Sequence, residues 1–310
     1  MNNNIFYFAS VFSNRKSWRA FFGKNRLLIP DNINDGQEER FNTTRTIRLT
    51  QRYLKQWNVF FNTKKINTIA PYSFHWPAMM KFYIQDLLYN LKVNNTKILH
   101  IGHEAELVGE YSFGEKEFYT NRNKLVDICL LKQGGVILVT DSLVKDKTDN
   151  TVFKSKDYFF AKDIPVDDSN PLMSSKEWNN TPFHFFSKGF SKREEQFKKG
   201  ENGYNVIGKY CSKNLCRRFG FLSGALSIDH QFRLPTRLIH NEAPYLQGMC
   251  TGNIVFKLLA DELNKNIKKI NIYYNNKMYF DQTIEIRYND SDYEVYDENE
   301  TMIAFGSITL

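Results

Sequence analysis

One pattern constrains this chain more than any other: a helix with an apolar stripe, followed by several short β-rich runs, occurs twice. The first helix opens near Pro77, a residue suited to a first turn because its missing N–H would have no intrahelical partner there. Met80, Ile84, Leu87, Leu88 and Leu91 then recur at the spacing of one helical face. The second helix opens near Tyr245 and repeats that spacing with Ile254, Val255, Leu258, Leu259 and Leu263. Strand-like runs follow the first helix at 97–107, 124–131 and 135–144, the last a β-branched stretch after a Gly-Gly turn. After the second helix they fall at Lys269–Tyr274, Gln282–Tyr288, 293–296 and Met302–Thr309, with turns at 275–278 and 289–292. A duplicated unit explains this better than a single large sheet. Each unit is expected to be α+β, one buried helix wrapped by an antiparallel sheet.

The 310 residues suit two domains of about 150 each. Between the two patterns, the segment from about Asp163 to Asn202 holds Pro165, Pro171 and Pro182, many Ser, Asn and Asp, and a Lys/Glu run, and it reads as a linker. The expected division is an N-terminal extension 1–40, a first domain 41–162, a linker 163–203 and a second domain 204–310. With 42% hydrophobic and 25% charged residues, the chain has the means for a packed core, and disorder is excluded as its general state.

The 42 Lys+Arg against 34 Asp+Glu leave a net charge of +8, which favours anionic partners. The sequence has no basic cluster with interleaved aromatics and no zinc-finger signature, so nucleic acid is not the expected partner. An acidic carrier protein or a phosphate-bearing cofactor fits the same charge. Cys129, Cys211, Cys216 and Cys250 lack paired metal-ligand spacing and read as reduced, buried thiols. His100, His103 and Glu104 cluster in sequence without a recognised metal spacing; no metal and no cofactor are expected. Asp127 and Asp141 read as surface or turn carboxylates. The apolar patch 5–12 lacks the basic flank of a secretory signal, and no run approaches the ~18 apolar residues of a membrane span, so the expected location is cytoplasmic, with no integral membrane segment. A G-x-S-x-G elbow, a Walker loop and a G-x-G-x-x-G after a strand are all missing.

From Arg217 to His230 the sequence reads R-R-F-G-F-L-S-G-A-L-S-I-D-H, and Tyr245-Leu-Gln-Gly-Met249 follows, with 18 positions from His230 to Gly248. This resembles the MaoC-like hydratases and dehydratases, which include the (R)-specific enoyl-CoA hydratases, and most closely their bacterial double-hotdog members. The pattern there is approximately R-R-Y-A-x-x-S-G-D-x-N-P-I-H, continuing to I-x-H-G-M. Arg217, Arg218, Ser223, Gly224, His230, Gly248 and Met249 match in one register. Trp76-Pro-Ala-Met-Met80 and Ile98-Leu-His-Ile101 resemble the family's N-terminal hotdog. The resemblance covers roughly 45–160 and 205–310.

The resemblance implies two tandem hotdog domains, each an antiparallel sheet wrapped around a long central helix. It implies reversible hydration of a trans-2-enoyl thioester to the (R)-3-hydroxyacyl form, on coenzyme A or acyl carrier protein, in fatty-acid or related lipid metabolism. That chemistry needs a base, an acid and donors to the thioester oxygen as enolate character develops. Carried over, His230 is the base and the N–H near Gly248, at a helix start, polarises the carbonyl. Gln247 stands where the family has His, and Ser227, Tyr245 and Met249 fall among the substrate-binding positions. Arg217 and Arg218 would meet the phosphates of the carrier; read without the family they form a solvated strand edge.

The family Asp falls on Ala225, its Asn on Ser227 and its Pro on Ile228. Asp229 and Glu242 are the candidates for replacing the lost carboxylate, although neighbours on an extended loop point apart, so Asp229 would need special backbone geometry. The alternatives are a module that binds acyl thioesters or a carrier protein without turnover, and a hotdog thioesterase on the same fold. The duplication supplies a pairing partner within the chain, which suits a monomeric pseudo-dimer as well as a homodimer.

Overall fold

The structure is a computed structural model and describes residues 41–48, 55–56, 59–60, 85–93, 98–109, 118–130, 135–161, 196–200, 203–223, 245–246, 248–265 and 267–310. Its main elements are β1 (Asn42–Arg48), α1 (Gln85–Leu91), β2 (Ile98–Leu107), β3 (Phe118–Leu130), β4 (Val136–Lys145) and β5 (Thr151–Ala161). There follow β6 (Asn205–Cys211), α2 (Lys213–Ser223), α3 (Gly248–Leu263), β7 (Lys269–Tyr274), β8 (Gln282–Tyr288), β9 (Asp292–Tyr296) and β10 (Met302–Thr309).

All ten strands join one sheet in the order β1-β3-β4-β5-β2-β7-β10-β9-β8-β6, antiparallel at every pair. The order is its own mirror: β6 to β10 repeat the places of β1 to β5 on the far side of the β2–β7 pair. This is the duplication expected from the helix stripes. The two copies share one continuous sheet, because β2 and β7 pair from Gly102↔Tyr273 to Glu106↔Lys269. Each inner edge would otherwise present a row of unpaired backbone groups.

Alternation sorts the sheet into two faces. Ala105 of β2, Phe153 and Phe159 of β5, Leu138 of β4 and Ile270 and Ile272 of β7 share one core with Leu87, Leu88 and Leu91 of α1 and Ile254, Val255 and Leu259 of α3. On the other face, Ile101, Cys129, Ile137, Val139, Tyr158 and Phe160 form a smaller cluster. β4 is buried on both sides along Val136–Thr140, which explains its unbroken apolar run. α3 is buried without interruption from Met249 to Phe256, the condition of a helix enclosed on all sides.

Several readings shift. The second helix begins at Gly248, not near Tyr245, because the chain is still extended there: Tyr245 bridges Tyr279, and the Leu246 N–H donates to Met278 O at 2.7 Å. The start of the first helix, with Met80 and Ile84, lies outside the described residues. Arg217 and Arg218 belong to α2 rather than a strand edge. Their segment carries Leu215, Phe219 and Leu222 at helical spacing against the core. Asp141 lies within β4, not in a turn. Strands β1, β5 and β6 escaped the sequence reading. β1 has a single apolar residue, and β5 breaks its apolar run with Lys154, Ser155, Lys156 and Asp157.

The end of the presumed linker is docked rather than free. Phe197 is buried, and the Gln196 and Phe197 N–H groups donate to the Glu294 carboxylate at 3.0 and 3.1 Å. Arg287 donates to Phe197 O at 2.9 Å, pairs with Glu285 and Glu300, and lies 4.0 Å over the Tyr296 ring.

Candidate functional site

The described polar cluster of most chemical interest lies at the seam between the copies. Residues three apart on a regular strand face opposite ways. The register of β2 shifts between His100 and Gly102, and the extra residue brings His100 and His103 onto the same face. Across the ladder His103 pairs with Asp157 of β5. Asp157 Oδ1 lies 2.9 Å from His100 Nε2 and 2.8 Å from His103 Nδ1. Asp157 is fully buried and His103 nearly so. The second carboxylate oxygen, Oδ2, is buried with no hydrogen-bond partner among the described residues.

Burial pulls the His100 pKa down against the opposing pull of the Asp157 hydrogen bond and charge, so the imidazole is neutral at pH 7. For Asp157, burial acts to raise the pKa. The charge of His103 and the hydrogen bonds from both imidazoles outweigh it and hold the carboxyl well below the usual carboxylate range.

Tyr274, the last residue of β7, connects this cluster to α3. Its ring centroid lies 5.5 Å from that of His100. On the other side it presses against two glycines of α3: a Cβ at Gly248 would stand 2.8 Å from Tyr274 Cε2, and one at Gly252 2.9 Å from Tyr274 Oη. A larger residue at either place would require the Tyr274 ring or the helix to move. Tyr274 Oη is buried with no hydrogen-bond partner among the described residues, and burial pushes its pKa well above that of an ordinary phenol. The hydroxyl therefore stays protonated. The start of α3 brings first-turn N–H groups and the positive end of a 16-residue helix to the same neighbourhood.

Glu104, adjacent to His103 in sequence, faces the other side of the sheet, where its carboxylate accepts from Tyr158 Oη at 2.7 Å and Tyr273 Oη at 2.8 Å. The sequence cluster of His100, His103 and Glu104 is thus divided by the pleat, and Asp157 takes the third place. The missed signal was a lone Asp inside the apolar end of β5. Asp127 accepts from the Ile128 N–H.

Of the residues expected at the site, Gly248 opens α3 and Met249 is buried in the core beside it. Tyr245 is partly buried with Lys277 Nζ 4.7 Å from its ring centroid. Arg218 is exposed on α2, and Arg217 is on the same helix. His230, Asp229, Gln247 and Ser227, with Ala225 and Glu242, lie outside the described residues. Cys129, Cys211 and Cys250 are buried.

No family model matches the sequence, and no curated protein matches it. Solved structures do share its fold. A MaoC-like dehydratase from Phytophthora capsici superposes with a TM-score of 0.66 at 14% identity, over 91% of this chain and 98% of that one. The peroxisomal multifunctional enzyme type 2 of Drosophila melanogaster gives 0.59 at 14% identity over 86% of this chain and 48% of the enzyme, so this chain spans about half the enzyme's length. A Mycobacterium tuberculosis protein described as having a double hotdog fold gives 0.52 at 10% identity, over 86% of this chain and 94% of that one. The chain is therefore a double-hotdog protein: α+β, two tandem hotdog domains, each an antiparallel sheet wrapped around a central helix. Within that class its fold is that of the MaoC-like dehydratases. Among the described residues no helix is long and apolar enough to cross a membrane.

Proposed function

We propose that this chain binds an acyl thioester at the seam of its two hotdog domains and adds or removes water across the 2,3 bond, interconverting trans-2-enoyl and (R)-3-hydroxyacyl forms. One observation carries the reading. The buried helix α3 starts at Gly248, pressed on Tyr274 at the seam, in a fold shared with MaoC-like dehydratases. A thioester oxygen at that start meets N–H groups and a favourable dipole as negative charge develops on it. His230 serves as base, with Asp229 standing in for the carboxylate missing at Ala225 and Gln247 assisting the Gly248 N–H. Ser227, Tyr245 and Met249 bound the acyl site, while Arg217 and the exposed Arg218 meet carrier phosphates. The carrier is coenzyme A or an acyl carrier protein, the latter suited to a chain of net charge +8. The domain boundaries that accompany the reading are 41–162 and 204–310, joined by 163–203 and preceded by 1–40.

A second reading rests on Ala225, which has no proton to move and cannot orient water. It retains the thioester pocket as a binding module without turnover. Hydration of crotonyl-CoA and a longer trans-2-enoyl-CoA, followed through loss of the conjugated-thioester absorbance, separates the two. The hydratase reading expects turnover that falls by about 10³-fold or more in His230→Ala. Absence of turnover in a folded chain that still binds acyl-CoA makes the binding module correct.

A further inference from the structure

The geometry of the buried His100–His103–Asp157 cluster points to a binding site for one divalent transition-metal ion, zinc foremost, and we propose that the chain binds such an ion there. The proposal does not depend on the thioester reading. Its first support is convergence: one ring nitrogen each from His100 and His103 and a carboxylate oxygen of Asp157 all lie within 4.8 Å of one another. Different ring nitrogens of the two imidazoles are turned toward one point, and the bulge in β2 is what allows it. Two donors at ~2.0–2.1 Å from a tetrahedral zinc stand about 3.3 Å apart. The contacts of 2.9 and 2.8 Å therefore need to open by only about half an ångström to admit the ion.

The second support is the carboxylate itself. Asp157 is fully buried, its Oδ1 is shared by both imidazoles, and its Oδ2 meets no hydrogen-bond partner among the described residues. A buried carboxylate satisfied on one side only is costly, and a cation bound among the three donors compensates its charge. The donor set names the class of ion. Two imidazoles with one carboxylate suit zinc or another first-row transition metal, whereas calcium and magnesium require oxygen ligands throughout. Three protein ligands are also the number that leaves zinc a position for water or another small donor.

The test uses the full chain without a histidine tag, stripped with a chelator and titrated with Zn(II) or Co(II). We expect about one equivalent per chain by elemental analysis, a visible d–d spectrum of four-coordinate Co(II), and a Tm that rises on loading. In the near-isosteric Asp157→Asn and in His100→Gln, metal affinity should fall by more than about tenfold, with the far-UV spectrum preserved. Failure of the wild-type chain to take up metal overturns the proposal, as does wild-type affinity in both variants. A Co(II)–thiolate charge-transfer band also overturns it, by placing the ion on cysteine. Should either variant fail to fold, wild-type stoichiometry and the Co(II) spectrum decide the question.

Discussion

At the scale of single residues, Tyr274 links the seam to α3. It touches the His100 ring on one side and the glycine face of α3 on the other. Replacing Gly248 with Ala places a methyl 2.8 Å from the Tyr274 ring, inside van der Waals contact, so ring or helix must move. Gly248→Ala should therefore destabilise the chain by about 1–3 kcal/mol in urea unfolding, the usual cost of overpacking. Combining it with Tyr274→Ala should recover part of that loss, because the clash is gone. Strictly additive effects would show that the glycine is required for another reason. Gly248 was legible in the sequence as part of the Gly-Met match before an apolar stripe. Tyr274 was legible only as the end of a strand. Its role depends on contacts that cross from β7 to α3, and no local pattern encodes such a contact.

At the scale of elements, the outer face of the second hotdog holds residues 196–200 by a buried carboxylate. Glu294 accepts from the Gln196 and Phe197 N–H groups and from Tyr296 Oη at 2.7 Å, with no exposure to solvent. Glu294→Ala deprives the buried Phe197 N–H and Tyr296 hydroxyl, and the Gln196 N–H, of their acceptor and should cost about 2–4 kcal/mol. Hydrogen exchange should show the Gln196 and Phe197 amides opening well before the strands; unchanged protection there would mean that the carboxylate is not what holds the segment. The Pro- and Ser-rich composition of the linker gave no hint of this docking, because a few hydrogen bonds at one end leave no periodic trace. The same limit applies to β5. Its apolar periodicity is interrupted by Asp157, and only a partner 54 residues away in sequence explains the interruption. By contrast α3, β4 and strands β7 to β10 were legible, since each buries a regular stripe or a continuous run.

At the scale of the whole molecule, the duplication is visible in sequence but the fusion of its copies is not. The pairing of β2 with β7 joins edges more than 160 residues apart in sequence, and no local pattern encodes it. The consequence is thermodynamic. One core cluster includes Leu87, Leu88 and Leu91 of the first copy together with Ile254, Val255 and Leu259 of the second, and β2 pairs with β5 from Ile98 to Leu107 and with β7 from Gly102 to Glu106. If either copy unfolded alone, it would strip the other of a sheet partner and expose part of a shared apolar interior, at about 25 cal/mol for each Å² uncovered. We therefore expect a single cooperative transition for the described domains, with coincident far-UV CD and calorimetric midpoints and matching calorimetric and van't Hoff enthalpies. Two resolved transitions, each with about half the total enthalpy, would show instead that the seam is weaker than the cores it joins and that the copies behave as separate domains.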